Sequence, residues 1–200
     1  MSYQVICISR QFGSGGRTIG KAVAQRLNIP CYDQELVELL AARSGFSKEY
    51  IAEVEEHSLK RTFTGDYAEK AVHSPLLQAS VRRMQEQVIR DLARQGPCVI
   101  IGRCAGHILR HSPDCLRVYI HAEEGLRAQR IVSVYGETAD APLKRIRDKD
   151  RRRKEYYQHH TGLKWGNAEN FHIALDSGAL GQAACVDILA AVYAAGPASE

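Results

Sequence analysis

The sequence predicts an α/β domain with a mostly parallel sheet, and three observations carry that expectation. Short apolar, β-branched runs recur along the 200 residues. Stretches with helical periodicity separate them, the alternation expected of a parallel sheet with helical crossovers. The first strand-to-helix junction is rich in glycine.

The elements follow in order. Val5 to Ile8 is a buried-strand run, and from Thr18 the spacing of Ile19, Ala22, Val23, Arg26 and Leu27 predicts a helix that Asn28 and Pro30 stop. Ile29 to Tyr32 reads as a second strand ending at Asp33. Leu36–Arg43 and Lys48–Glu56 read as helices, Leu59–Tyr67 as a loop, and Ser74–Arg94 as a long helix closed by Gly96 and Pro97. Cys98–Ile101 and Leu116–Ile120 are the next strands, and Glu123–Tyr135 is an amphipathic helix with acids at its start, where the helix dipole favours them. A dense charged segment, Lys144–Lys154, precedes a last strand over Phe171–Leu175 and a last helix over Ala183–Tyr193.

Composition narrows the class. A hydrophobic fraction of 44% and a charged fraction of 25% are ordinary for a globular chain able to bury a core without staples. The net charge of +4 suits anionic ligands and is too small to argue for nucleic acid. Six dispersed cysteines form no Cys-x-x-Cys pair, so they are expected to act as small core residues in a reducing cytoplasm. Neither a signal peptide nor a membrane-spanning apolar run is expected.

The glycine junction carries the chemistry. Gly13, Ser14, Gly15 and Gly16 sit between the first strand and its helix. Glycines there let the backbone approach an anion, and the helix start offers unpaired amides and a positive dipole end. Gly13, Ser14, Gly15, Gly16, Arg17 and Thr18 are therefore the expected cradle for a di- or triphosphate, with the Thr18 hydroxyl available to Mg2+. The loop departs from a regular Walker A sequence: after Gly15, Gly16 stands where lysine is expected, and Arg17 follows, one place before Thr18. Arg10 and Arg17 are the two candidates for the missing charge.

Other residues are weighed against structural roles. Asp33, at a strand end, is either a base or magnesium-water ligand or a helix N-cap. Arg103 follows another strand and either grips a phosphate or base or closes an internal salt bridge. Lys144–Lys154 is either a solvated helix or a lid whose cations neutralise a migrating phosphoryl group. Within it, Arg147, Arg151 and Lys154 share one face, and Arg145, Lys149 and Arg152 another. Tyr156 and Tyr157 alone offer base stacking, a weak nucleic-acid signal. His107 and His111 lack a third ligand, and His159 and His160 face different ways, so no metal centre is expected of them. Trp165 is expected to pack the segment that returns from the lid.

The chain resembles the cytidylate kinase-like family, a branch of P-loop kinases. The resemblance rests on Ile8-Ser9-Arg10-Gln11-Phe12-Gly13-Ser14-Gly15-Gly16-Arg17, Pro30-Cys31-Tyr32-Asp33 and Val99-Ile100-Ile101-Gly102-Arg103-Cys104. It continues through Tyr156-Tyr157, Thr161-Gly162-Leu163-Lys164-Trp165-Gly166 and Leu175-Asp176-Ser177. It implies a P-loop NTPase-type three-layer α/β fold with a five-stranded parallel sheet. A single domain would span residues 1–200, with an acceptor-binding segment over 34–95 and a lid over 137–166. By similarity, Arg103 would contact the acceptor nucleotide, Asp176 would lie near its ribose, and Lys149 and Asp150 would align with an Arg-Asp pair at the lid base.

The expected activity is transfer of a phosphoryl group from ATP to CMP or another small acceptor, with Arg17, Asp33, Arg103, Arg147 and Arg151 as the catalytic set. Asp33, Arg103, Lys149, Asp150 and Asp176 are the expected acceptor site. Where cytidylate kinases carry Asp-Gly-Arg-Asp, this chain has Ile101-Gly102-Arg103-Cys104, and Gln34 and Leu39 replace a serine and an arginine that hold the acceptor phosphate. Two alternatives therefore stand beside the first: a nucleotide-binding regulatory protein without catalysis, and a kinase for a non-nucleotide acceptor.

Overall fold

The computed structural model describes residues 2–49, 51 and 75–197. The expected helix over Lys48–Glu56 lies mostly, and the expected loop Leu59–Tyr67 wholly, outside the described residues. In chain order the elements are β1 (Val5–Arg10), α1 (Gly16–Leu27), β2 (Cys31–Tyr32), α2 (Glu35–Ser44), α3 (Pro75–Gln95), β3 (Cys98–Ile101) and the short α4 (Ala105–Ile108). There follow β4 (Cys115–His121), α5 (Glu124–Ser133), α6 (Pro142–Thr161), β5 (Ile173–Asp176) and α7 (Gln182–Ala195).

The five strands form one sheet in the order β2-β3-β1-β4-β5, and each pairing is parallel. Val5 is in register with Cys98 on one side and Cys115 on the other, which makes β1 central. A central parallel strand is covered on both faces, so its side chains are apolar without alternation. Val5 and Cys7 face a core with Leu36, Leu40, Val88, Ile89 and Leu92 of α2 and α3. Ile6 and Ile8 face the opposite core with Ile19 and Val23 of α1 and Leu189 of α7. These two cores, one on each face of the sheet, make a three-layer α/β architecture.

Periodicity located the long elements well and misplaced some boundaries. The charged helix is longer than its charge run: it begins at Pro142 and ends against Gly162, whose φ of 72° suits a glycine cap. A third small core of Ala128, Ile131 and Ile146 packs α6 onto α5. The charged helix thus has an apolar anchor on the body of the domain. All six cysteines are free thiols, and Cys7, Cys98, Cys115 and Cys185 are buried. Among the described residues no helix is long and apolar enough to cross a membrane.

Connections to β2 leave the centre in one direction and those from β3 to β4 in the other. The switch lies between β1 and β3, and open α/β sheets bind ligands outside the carboxyl ends of their strands at such a point.

Candidate active site

β1 ends at Arg10, and the chain then wraps over the sheet edge to enter α1 at Gly16. Gly15 caps that helix with φ 80° and no side-chain hydrogen bond, so the turn depends on a residue that tolerates the left-handed region. The loop is held from beneath. Ser14 is fully buried and its Oγ donates to the Gln11 carbonyl at 2.9 Å, while Ser177 Oγ donates to the Ser14 carbonyl. Arg127 Nη1 donates to the Phe12 carbonyl at 3.0 Å, and Arg130 Nη1 to that of Gly13 at 3.0 Å.

The loop borders a cavity of about 600 Å³, within the range of small-molecule sites. Gly13, Gly15, Gly16, Arg17 and Thr18 line one side; Asp33 and Gln34, from the end of β2, line another. Gly102 and Arg103, from the end of β3, form the base, and Lys149, Arg152, Arg153 and Tyr156 of α6 close over it. Six of the lining residues are Arg or Lys (Arg10, Arg17, Arg103, Lys149, Arg152 and Arg153), against two carboxylates, Asp33 and Glu137. A partly open, positively biased cleft of this size favours anions.

Asp33 is buried and does not cap the helix after it. The cap position of α2 is Gln34, and the Asp33 carboxylate meets Arg17 Nε at 2.5 Å and Arg10 Nη2 at 3.8 Å. Arg17 also donates to Gln34 Oε1 at 3.1 Å, so it straps the glycine loop to the segment after β2.

Arg103 and Cys104 both adopt positive φ, 52° and 53°, directly after Gly102 at 83°. Two consecutive non-glycine residues in this region are strained, a condition that concentrates at functional sites. The turn aims Arg103 into the cavity, and its carbonyl accepts from Gln85 Nε2 at 3.3 Å. Gln85 Nε2 lies 3.1 Å from the Tyr156 hydroxyl, so α3 links the strained turn to α6. Burial lowers the pKa of Arg103 and of Arg153 below the ordinary guanidinium value, and raises that of Tyr156 to about 12.

The remaining expected residues lie elsewhere. Arg147 pairs with Glu124 at 2.8 Å and Arg151 with Asp148 at 2.8 Å; both side chains are exposed, and neither lines the cavity. Helical phase is the reason. Anchoring α6 through buried Ile146 and Tyr157 turns the face of Lys149, Arg152, Arg153 and Tyr156 inward instead. Asp150 takes no part in the lining. Its carboxylate accepts from the Phe12 amide at 2.7 Å and from Arg127 Nη1 at 2.6 Å, clamping α6 to the loop. Asp176 is also outside: its Oδ1 accepts from the amides of Gly178 at 2.8 Å and Ala179 at 3.2 Å, which lowers its pKa.

Sequence reasoning missed the positions of Arg153 and Trp165 in the cavity wall. Arg153 lies one helical turn beyond Lys149, a signal visible in the spacing once the inward face is known. Trp165 Nε1 donates to Ser9 Oγ at 3.2 Å and meets the Tyr119 ring edge-on, so the segment returning from α6 closes the cavity with an aromatic wall.

The cradle fits a nucleotide's phosphates by its glycines and its cation excess. Thr18 brings a hydroxyl to the cavity edge where Mg2+ would accompany them. Among the described residues no group of three or more His, Cys, Asp or Glu side chains is placed to hold a metal ion.

A family model described as the cytidylate kinase-like family matches residues 5–179. A cytidylate kinase from Pyrobaculum calidifontis is 26% identical over 174 residues, covering 86% of this chain and 83% of that protein. One from Methanosarcina barkeri is 24% identical over 185 residues, covering 92% and 93%. Among solved structures, an uncharacterized protein from Eubacterium ventriosum ATCC 27560 superposes with a TM-score of 0.68 at 24% identity, over 92% of this chain and 94% of that one. A gluconokinase from Sinorhizobium meliloti 1021 gives 0.56 at 18% identity, over 98% and 94%. At these identities the structural likenesses speak for the fold.

Proposed function

The chain belongs to the cytidylate kinase-like family, and we propose that it is an ATP-dependent phosphotransferase whose acceptor is a small anionic molecule, CMP or another. The observation that carries this reading is a single cavity in which the glycine loop, Asp33, Arg103 and the inward cations of α6 meet.

Phosphoryl transfer needs little covalent chemistry from a protein; positioning and charge neutralisation suffice. The amides of Gly13 to Arg17 hold the donor phosphates, and Thr18 would hold Mg2+, which supplies charge neutralisation on the phosphates when bound. Arg103 grips the acceptor from the base of the cavity. Asp33 orients the acceptor group that attacks. Lys149, Arg152 and Arg153 replace water around the migrating group and stabilise the charge spread over its oxygens. The Gln34 and Leu39 substitutions favour an acceptor held through Arg103 and α6 over one held by the usual serine–arginine grip.

The test is ATP consumption by the full chain with Mg2+ against a panel of nucleoside monophosphates and small hydroxy acids or sugar acids. Acceptor-dependent ADP formation with a phosphorylated product is expected. ATP binding with no turnover for any acceptor would overturn the catalytic reading and leave a nucleotide-binding regulatory protein.

A further inference from the structure

We propose that Arg10 is the cation that meets the terminal phosphates of the nucleotide, in place of the lysine the glycine loop lacks. This rests on the ATP-binding reading above and adds to it the identity of the charge. The juxtaposition that carries it is Arg10 lying between Gly16 and Gly102, two glycines whose missing side chains make its room.

Gly16 stands at the lysine position. A Cβ built there would fall 2.6 Å from Arg10 Cβ, closer than real Cβ atoms come, and 3.1 Å from its Cγ. A Cβ on Gly102 would clash with Arg10 Nη1. The stem of Arg10 thus occupies the space at the start of α1, and its guanidinium lies across the end of β3. Both contacts face the cavity that the glycine loop borders.

The arginine is also fixed from behind. It is the last residue of β1, in register with Ile120 of β4, and its carbonyl accepts from Arg153 Nη1 at 3.2 Å. Its side chain is 23% exposed, and its counter-ion, Asp33, stands off at 3.8 Å. Arg17 holds that same carboxylate at 2.5 Å and is 49% exposed. Of the two candidates, Arg17 is the strap that neutralises Asp33, and Arg10 is the one whose charge is left poorly compensated inside the cavity. Burial, with Arg153 as the next cause, lowers the Arg10 pKa to about 9, the direction expected of a cation awaiting an anion. A guanidinium presents paired donors to two phosphate oxygens, where an ammonium offers a point charge.

The experiment is a set of binding titrations of ATP, ADP and AMP with Mg2+ to the purified full chain and to Arg10→Met, Arg10→Lys, Arg17→Met and, as a charge control, the surface variant Arg26→Met. Loss of a charge-assisted contact predicts roughly 10- to 100-fold weaker ATP binding for Arg10→Met. ADP should lose less and AMP less than twofold, with Arg10→Lys intermediate and Arg17→Met weakening ATP less than Arg10→Met does. Thermal melting checks the fold. Should Arg10→Met not fold, Arg10→Lys decides by its ATP-to-AMP preference, which must fall below wild type. Equal losses for all three nucleotides, unchanged ATP binding in a folded Arg10 variant, or a larger loss from Arg17→Met would overturn this assignment alone. A wild-type chain that binds no ATP would overturn the functional reading beneath it.

Discussion

Arg127 Nη1 lies 2.6 Å from Asp150 Oδ2, with the arginine side chain only 4% exposed and the aspartate 15%. The same two residues hold both polar groups of Phe12: its amide donates to Asp150 and its carbonyl accepts from Arg127. Through this pair the glycine loop, α5 and α6 are tied together at one corner, beside the inward cations of α6.

Removing one partner of a buried, hydrogen-bonded pair costs about 3–5 kcal/mol, because the survivor is left charged without compensation. Asp150→Ala should therefore lower the free energy of unfolding by about that amount in urea titrations. Asp150→Asn keeps an acceptor for the Phe12 amide and should lose less.

The inward face of α6 predicts a contrast in function. Arg153→Ala and Lys149→Ala should lower kcat/KM for the transfer by roughly 10- to 100-fold, the scale of charge-assisted contacts to a phosphoryl group. Arg147→Ala and Arg151→Ala, whose side chains pair on the surface outside the cavity, should lose less than threefold, since exposed, solvent-screened pairs contribute little. Steady-state kinetics of the four variants checks this, and equal losses on both faces would refute it.

Restoring the loop lysine should fail. Gly16→Lys must displace Arg10, whose Cβ would lie 2.6 Å from the new side chain's Cβ, and overpacking of this kind costs about 1–3 kcal/mol. A lower Tm and no gain in ATP turnover are the expected results; a more active enzyme would show that the loop tolerates a second cation.

Trp165 is the sole tryptophan of the chain and part of the cavity wall. Its emission should change on nucleotide or acceptor binding and provide an intrinsic titration signal. Ser9→Ala removes the acceptor of its indole N–H and should alter the unliganded spectrum. Saturating ligand without a change in emission would place binding away from this wall.

His160 supplies a pH prediction. Burial first, then the charges of Arg82 and His159, lowers its pKa from 6.5 to about 4, so it is neutral in the folded chain. An unfolded histidine takes up a proton near pH 6.5, so the unfolded state binds more protons between about pH 6.5 and 4. Stability should be full above that window and decline as pH falls through it. His107 and His172, also lowered chiefly by burial, share the slope. Melting curves from pH 7 to 4.5 should fall less steeply for His160→Gln than for wild type.

The family, the order of strands and helices and the position of the glycine loop were legible in the sequence. These are local matters: Val5–Ile8 is a continuous apolar run, and Gly13–Gly16 stand directly between that strand and its helix. The sequence also showed two faces on the charged helix and two arginines able to replace a lysine. It did not choose between them, because rotation of a helix and reach of a side chain are set by distant contacts. Ile146 and Tyr157 turn Lys149, Arg152 and Arg153 inward, and Gly102, far along the chain, makes the space that Arg10 fills. Asp150 likewise reads as a ligand residue beside Lys149, and only its approach to Phe12 and Arg127 makes it a clamp. Periodicity and turn chemistry act over a few residues and so are written locally; charge pairing and excluded volume act between segments that only the folded chain brings together.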